Sequence, residues 1–152
     1  MLNVTDPLAL EQQVCFPLYA VSRAMTSVYR PKLEALGLTY PQYLVMLVLW
    51  EHDDRSVGEL CSALALDSGT LSPLLKRLEG AGYVERARAV DDERRVDVRL
   101  TERGRELRER ACVIPAEMAE ATGLSLEELG ALRETLLRMN RALVAHTRSK
   151  EK

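Results

Sequence analysis

The sequence has few of the residues from which metal centres and disulfide frameworks are built. Its 152 residues include three cysteines and two histidines. Cys15, Cys61 and Cys112 are widely spaced and lack partners at metal-ligand spacing, which argues against a disulfide framework and a zinc site. His52 and His146 are predicted surface residues. We therefore expect no metal and no cofactor.

The sequence also lacks a long apolar run and an excess of positive charge. Its longest apolar run, Leu44 to Trp50, is far too short to cross a bilayer. The first residues show no basic region followed by an apolar core, so we predict no secretion signal, no membrane association and a cytoplasmic location. Because the net charge is −2, any contact with nucleic acid has to come from a local arrangement of lysine and arginine.

A helix-turn-helix is predicted over residues 56–80. Ser56-Val-Gly-Glu59 is a capping box that starts a short helix. A second helix, the reading helix, follows with Asp67 or Ser68 as its N-cap and with glycines marking its end. Its apolar residues recur at helical spacing and make one stripe: Leu71, Leu74, Leu75 and Leu78. Two short helices joined by a tight turn make a helix-turn-helix.

A β-hairpin is predicted directly after the reading helix. Residues 83–88 are strand-like, and Val96-Asp-Val-Arg-Leu100 alternates apolar and polar residues strictly. The segment between them, 89–95, is a charged hairpin tip. A hairpin after a helix-turn-helix indicates a winged helix, in which the hairpin is the wing.

Helical patterns flank this winged region. On the N-terminal side, Pro17 either kinks a helix that starts near Leu8 or marks a new helix beginning near Phe16. A capping box at Thr39-Tyr-Pro-Gln42 then favours a helix for the apolar block that follows it. On the C-terminal side, Thr101 caps a predicted helix over residues 102–121.

The last part of the sequence predicts a bent helix and a long one. Pro115 is expected to bend the helix over 102–121, and Ser125-Leu-Glu-Glu128 is a third capping box. The final helix carries a narrow apolar seam of coiled-coil type: Leu126, Leu129, Leu132, Leu136, Met139 and Leu143. A seam that a small core cannot cover indicates a partner.

The predicted fold is mainly α with a small β-hairpin: a winged helix-turn-helix whose long N- and C-terminal helices form a dimerisation region. We predict a single domain over 1–152, with dimerisation helices at 8–38 and 102–147 and a DNA-binding region at 39–101. A two-fold homodimer would set two reading helices about one turn of DNA apart.

Candidate DNA contacts lie on the reading helix and the wing. Hydroxyls and cations of the reading helix suit phosphates and base edges: Ser68, Thr70, Ser72, Lys76 and Arg77. In the wing, Arg94 and Arg95 are placed to enter a minor groove, and Asp92 is placed to hold such an arginine. Arg86 and Arg88 are predicted to contact the flanking backbone. The alternative for the tip is a solvated cluster in which arginines pair with neighbouring acids.

Cys15 is the candidate reactive residue. A free cysteine is more often a small buried hydrophobe, but Cys15 lies beside an irregular turn or a helix start, where a thiolate is favoured. Several phenols can donate to such a thiolate: Tyr19, Tyr29, Tyr40 and Tyr43. Phe16 adds apolar surface, which favours an apolar organic peroxide over hydrogen peroxide. Cys61 is predicted to lie in the core. Cys112 is predicted to pack within a helix, and the alternative is that it is a resolving thiol.

Four motifs resemble the MarR family of winged-helix repressors, and more closely its organic hydroperoxide resistance branch. They are Cys-Phe-x-Leu-Tyr at 15–19, the segment 38–51 (Leu-Thr-Tyr-Pro-Gln-Tyr-Leu-Val-Met-Leu-Val-Leu-Trp-Glu), the segment 66–79 around Leu-Asp-Ser-Gly-Thr-Leu, and Asp-Asp-Glu-Arg at 91–94 before Val-x-Leu-Thr at 98–101. The resemblance spans residues 10–125. Pro17 departs from it, since the family often has alanine there.

The resemblance implies a dimeric repressor that leaves a pseudo-palindromic operator in double-stranded DNA when an organic hydroperoxide oxidises its N-terminal cysteine. That cysteine corresponds to Cys15, which would pass through a sulfenic acid. The tyrosines that hold the sulfur correspond to Tyr19, Tyr29 and Tyr40, the last two reaching across the dimer. Some members have a resolving cysteine around residues 122–125, which this sequence lacks, so a small cellular thiol is expected to cap the sulfur.

Two other functions stay open at this point. One is a MarR-type repressor released by reversible binding of a phenolic or acidic ligand at the dimer interface. The other is a thiol peroxidase that uses Cys15, against which the sequence offers no βαβ pattern and no evident resolving partner. We expect a regulator and not an enzyme.

Overall fold

The computed structural model describes residues 6–150, which are mainly helical with one small sheet. A 3-10 turn at Leu10–Gln12 precedes the first α-helix. The elements follow in the order α1 Cys15–Glu34, α2 Tyr40–Glu51, β1 Arg55–Ser56, α3 Val57–Leu64, α4 Ser68–Gly80, β2 Val84–Arg88, β3 Val96–Leu100, α5 Glu102–Ala111, α6 Ile114–Thr122 and α7 Leu126–Lys150. The predicted fold class is confirmed. No helix within this range is long and apolar enough to span a membrane.

The described residues fall into two compact units. The first runs to Ile114 and holds α1 to α5 with the sheet, and the second begins at Pro115 and holds α7 with nearly all of α6. The first five and last two residues of the predicted domain 1–152 lie outside the described residues. The assignment of dimerisation helices and a DNA-binding region stays a prediction.

Side-chain caps start the helices where the sequence predicts them. The Thr39 hydroxyl accepts from the Gln42 amide at 3.4 Å, and the Gln42 side chain accepts from the Thr39 amide at 2.8 Å. The same reciprocal bonds form at Ser56 and Ser125, and Thr101 caps α5. These bonds satisfy first-turn donors that a helix leaves unpaired, which is why the apolar block after Thr39 is a helix.

The prolines mark helix starts more often than bends. Pro17 is the third residue of α1, where its missing amide proton is one that the first turn leaves unbonded. Of the two predicted outcomes, a new helix begins, and the segment before Cys15 does not continue it. The predicted continuous helix over 102–121 is wrong, because α5 ends at Ala111 and Pro115 stands in the first turn of α6. Two prolines of the described residues lie further inside a helix, Pro31 in α1 and Pro73 in α4.

The sheet has one strand more than the predicted hairpin. Its strands are antiparallel in the order β1-β3-β2. The two residues of β1 pair with β3, Arg55 opposite Val98 and Ser56 opposite Asp97. This short strand directly precedes α3 and pairs with β3, so it connects the start of that helix to the wing.

The core of the first unit is built mainly from α2, α3, α4 and the sheet. Three of the four predicted stripe leucines of α4 are buried, and Leu74 is half-buried. The largest fully buried side chains are Leu33, Met46, Leu49, Leu60, Leu71, Leu75, Leu78, Val45, Val84 and Val98. Because the leucine face of α4 points inward, its hydroxyls and cations face outward.

Helix α5 approaches the start of β2 at a glycine. A Cβ at Gly104 would overlap the carbonyl oxygen of Tyr83 and lie 3.2 Å from Cδ2 of Leu100. The indole N–H of Trp50 donates to the Gly104 carbonyl at 2.9 Å, and the Tyr83 hydroxyl donates to the Leu36 carbonyl at 3.0 Å. These contacts bring together four parts of the first unit: α2, α5, the start of β2 and the residues that follow α1.

Candidate functional site

The reading helix presents its predicted contact residues to solvent. Asp67 is its N-cap: one carboxylate oxygen accepts from the Thr70 amide at 2.7 Å, and the other accepts from the Thr70 hydroxyl at 3.2 Å. The hydrogen bond from the Thr70 amide lowers the pKa of Asp67, so the cap stays ionised. All five predicted contact residues of α4 are exposed: Ser68, Thr70, Ser72, Lys76 and Arg77. The Thr70 hydroxyl is already engaged by the cap.

A groove of about 670 Å³ lies between α3, α4 and the wing. It brings together residues that are far apart in sequence, since Ser68 and Ser72 line it beside the wing residues Asp92, Arg94 and Arg95. Arg86 and Cys61 also line it. Cys61 is therefore half-buried at the edge of the groove and not a fully buried core residue as predicted.

The two arginines at the wing tip have different partners. The Arg95 guanidinium lies between Asp91 and Asp97, at 3.0 Å from an oxygen of each. The hydrogen bond to Asp97 and the charge of Asp91 raise the pKa of Arg95. Asp92 accepts from the backbone amide of Arg94 at 2.9 Å, so it shapes the turn instead of holding a guanidinium. Within residues 6–150 the Arg94 guanidinium has no ion-pair partner.

Arg86 is committed to an acid of the reading helix. Its Nε and one terminal nitrogen donate to the same carboxylate oxygen of Glu79, at 3.1 and 2.8 Å. Its backbone amide donates to the other oxygen at 3.2 Å. The neighbouring Arg88 is exposed and makes no such pair within the described part of the chain. The predicted contact of Arg86 with DNA stays untested.

Cys15 is an exposed free thiol at the first residue of α1. Tyr19 lies one turn further along the same helix and is 62% exposed, so neither side chain is held in a core. The Arg23 guanidinium lies 5.5 Å from the centre of the Tyr19 ring. Cys112 is also exposed, in the turn after α5, so the prediction that it packs inside a helix is wrong.

The other two predicted sulfur contacts lie in a separate cluster of tyrosines. The ring centres of Tyr29 and Tyr40 are 4.9 Å apart, and Tyr43 joins them at 5.9 Å from Tyr29. Tyr43 follows Tyr40 by three residues on the same helix, which is the signal that places it there. A cavity of about 290 Å³ opens beside Tyr29 and Tyr40, also lined by Arg30 and Thr39.

The two groups are far apart within one chain. Helix α1 is continuous from Cys15 to Glu34, and it rises about 1.5 Å per residue. Cys15 and Tyr29 are therefore separated by roughly 21 Å along its axis. One chain brings Cys15 close to Tyr19 but not to Tyr29 or Tyr40.

Tyr29 is expected to resist ionisation in the folded protein. Burial, followed by the nearby phenols of Tyr40 and Tyr43, raises the pKa of Tyr29 to about 12. The folded protein thus holds this proton more tightly than the unfolded chain, so the stabilisation is complete below pH ~10 and is lost as the pH rises towards 12. In an alkaline titration followed by phenolate absorbance, Tyr29→Phe should remove the step at highest pH and reduce the alkaline loss of stability. Tyr19→Phe, at an exposed ring, is the control and should retain that step.

The sequence is similar to several transcriptional regulators. A family model described as Transcriptional regulator SarA/Rot matches residues 27–111. The chain is 48% identical over 146 residues to the HTH-type transcriptional regulator TtmR of Methylorubrum extorquens, an alignment that covers 96% of this chain and 75% of that regulator. It is 47% identical over 136 residues to the organic hydroperoxide resistance transcriptional regulator of Bacillus subtilis, covering 90% and 92%.

Solved structures of similar fold include two that are bound to DNA. Reduced AbfR bound to DNA has a TM-score of 0.75 and 36% identity, covering 89% of this chain and 94% of that one. AbfR comes from Staphylococcus epidermidis, and structures of its overoxidised form on DNA and of a disulfide form are also similar.

Proposed function

The chain belongs to the MarR/SarA family of winged-helix transcriptional regulators, and on that basis we propose that it is a repressor that organic hydroperoxides release from its operator by oxidising Cys15. The observation that carries the proposal is the exposed, free Cys15 thiol at the start of α1. It occurs in a chain that is 47% identical to an organic hydroperoxide resistance regulator. Such a regulator acts in the cytoplasm, where its DNA is.

The chemistry at Cys15 takes two steps. The thiolate attacks the peroxide oxygen that carries the hydrogen, the O–O bond breaks, and the other oxygen leaves as an alkoxide that takes a proton from water to become the alcohol, so that Cys15 becomes a sulfenic acid. A small cellular thiol then attacks that sulfur, and water leaves as a mixed disulfide forms. Cys112 is the other exposed thiol of the described residues, and it is the alternative attacking group.

We propose that the working form is a homodimer. Helix α1 has one buried residue, Leu33, and exposes large apolar side chains along its length: Phe16, Tyr19, Val21 and Val28. Helix α7 has no buried residue, and it exposes Leu126, Leu132, Leu137 and Leu143. A second copy covering such faces lets Tyr29 and Tyr40 of the partner subunit reach a thiol that lies far from them in one chain. A two-fold dimer reads a pseudo-palindromic operator.

DNA docking follows from the groove between α4 and the wing. The hydroxyls and cations of α4 face outward and suit a major groove, with Lys76 and Arg77 neutralising phosphate. Arg94 has the unpaired guanidinium at the wing tip and enters the adjacent minor groove. Asp92 and Arg95 shape that tip through their bonds within the hairpin.

The test joins chemistry and binding on one sample. After one equivalent of cumene hydroperoxide, we expect a mass spectrum to show oxygen added at Cys15 and DNA binding to fall in proportion to that modification. An equivalent of hydrogen peroxide should act more weakly. Loss of binding while Cys15 stays unmodified would contradict the proposal, as would repeated turnover of peroxide with a thiol donor, which is the behaviour of a peroxidase.

The cavity beside Tyr29 and Tyr40 favours a second candidate. Its phenols and Arg30 suit a small aromatic acid, which would make this a repressor released by reversible ligand binding. The two candidates separate after all thiols are blocked with iodoacetamide. Release by salicylate from the blocked protein supports the second candidate, whereas release by peroxide that blocking abolishes supports the first.

A further inference from the structure

The Glu79–Arg86 pair joins the reading helix to the wing by three hydrogen bonds. Two come from the Arg86 guanidinium and one from its backbone amide, and all end on the Glu79 carboxylate. The side chains are 29% and 38% exposed, so the pair is partly shielded from water. The hydrogen bond from Arg86 lowers the pKa of Glu79, and the carboxylate is therefore charged at neutral pH.

The position of the pair matters more than its energy. Glu79 lies in the last turn of α4, and Arg86 is the central residue of β2, opposite Val98 of β3. Strand β2 continues from Arg86 to the wing tip that carries Arg94. A partly exposed ion pair adds little to stability, but this one connects the last turn of the reading helix to the middle of the wing strand.

We propose that Arg86 is a positioning residue that acts through Glu79, and that the pair sets the span between the reading helix in the major groove and Arg94 in the minor groove. The inference rests on the docking proposed above. It replaces the predicted role of Arg86 as a direct contact with the DNA backbone. The Nε edge of the guanidinium, which could otherwise bind a phosphate, is already held by one Glu79 oxygen, and its Nη1 side makes no bond within residues 6–150.

A role of Arg86 as a direct phosphate contact predicts the opposite effect of Glu79→Gln on DNA affinity. If Arg86 contacted phosphate, Glu79 would compete for it, and Glu79→Gln would release the arginine and tighten binding. If the pair positions the wing, Glu79→Gln makes the wing less fixed relative to the reading helix and weakens binding to a specific site. Removing any acid near DNA strengthens binding slightly, so the comparison needs a matched acid. Glu85 is exposed on β2, next to Arg86, and its side chain makes no hydrogen bond within residues 6–150.

The experiment measures affinity for a labelled duplex selected from a random library by the unaltered protein, and for a random duplex of equal length. We expect Glu79→Gln to bind the selected duplex about three- to fivefold more weakly than Glu85→Gln does, with equal affinity for the random duplex. Arg86→Lys keeps the charge but not the forked geometry, and it should lose as much as Arg86→Gln. Tighter binding by Glu79→Gln, or full rescue by Arg86→Lys, would overturn the inference.

The affinity cost of Arg94→Ala, measured with and without the Glu79 charge, is a readout that a purely structural role of the pair would not change. Arg94→Ala should cost about tenfold in the unaltered background and distinctly less in Glu79→Gln, although no bond joins the two residues. A full Arg94 penalty in both backgrounds would overturn the positioning role while leaving the docking intact. No penalty in the unaltered background would instead overturn the proposed docking of the wing.

Discussion

The Cys15→Ser variant is expected to bind its duplex as tightly as the unaltered protein and to stay bound after organic hydroperoxide. Serine keeps the size and the place of the side chain at the start of α1, but its oxygen cannot form a sulfenic acid. In the unaltered protein we expect oxidation to weaken binding by about a hundredfold, the range of strong coupling between two sites. In the variant the ratio of affinities before and after cumene hydroperoxide should be close to one.

The other two cysteines supply the controls. Cys61→Ser and Cys112→Ser should both release the duplex on oxidation, and Cys112→Ser shows whether an internal thiol takes part in recovery. If recovery of binding with added glutathione is unchanged in Cys112→Ser, the external thiol resolves the sulfur. Normal release of Cys15→Ser by peroxide would show that Cys15 is not the sensor.

Gly104→Ala is expected to destabilise the first unit more than any other substitution that adds a single methyl group. The added Cβ would overlap the backbone oxygen of Tyr83 and press on Leu100. Backbone cannot rotate away as a side chain does, so α5 would have to move and strain the bond from Trp50 to the Gly104 carbonyl. We expect a loss of ~3 kcal/mol, at the upper end of overpacking. Urea unfolding followed by circular dichroism measures it.

Gly80→Ala is the matched control for that change. Gly80 is helical, exposed and has nothing within 4 Å of an added Cβ. Alanine there should leave stability unchanged or raise it by up to ~1 kcal/mol, because it lowers the entropy of the unfolded chain. Equal unfolding midpoints for the two alanine variants would show that α5 tolerates the contact.

Local signals made most of the fold predictable. Capping residues act on amides three positions away, so Thr39, Ser56 and Thr101 reveal their helices without any tertiary information. Strand β1 is different, because two residues carry no period and are a strand only through their pairing with β3. The role of Pro115 also depends on where a helix ends, and nothing local in the sequence places that end at Ala111.

The candidate site was predictable in its residue types but not in its pairings. Arg94 and Arg95 are adjacent arginines in sequence, and only the fold of the hairpin gives Arg95 two carboxylates and leaves Arg94 unpaired. The partner of Arg86 is seven residues away across a helix end and a turn, at no regular spacing. The separation of Cys15 from Tyr29 likewise requires knowing that α1 runs unbroken between them.

The unbroken course of α1 also constrains how its sequence can change. Each residue turns the chain by about 100° around the helix axis, so one inserted residue between Cys15 and Tyr29 would rotate the thiol to another side of the helix. An insertion has to come close to a whole number of turns to restore the rotational phase, as about seven residues do, which make nearly two turns. Substitutions along this stretch can therefore accumulate, whereas a change in its length would misalign the sensor.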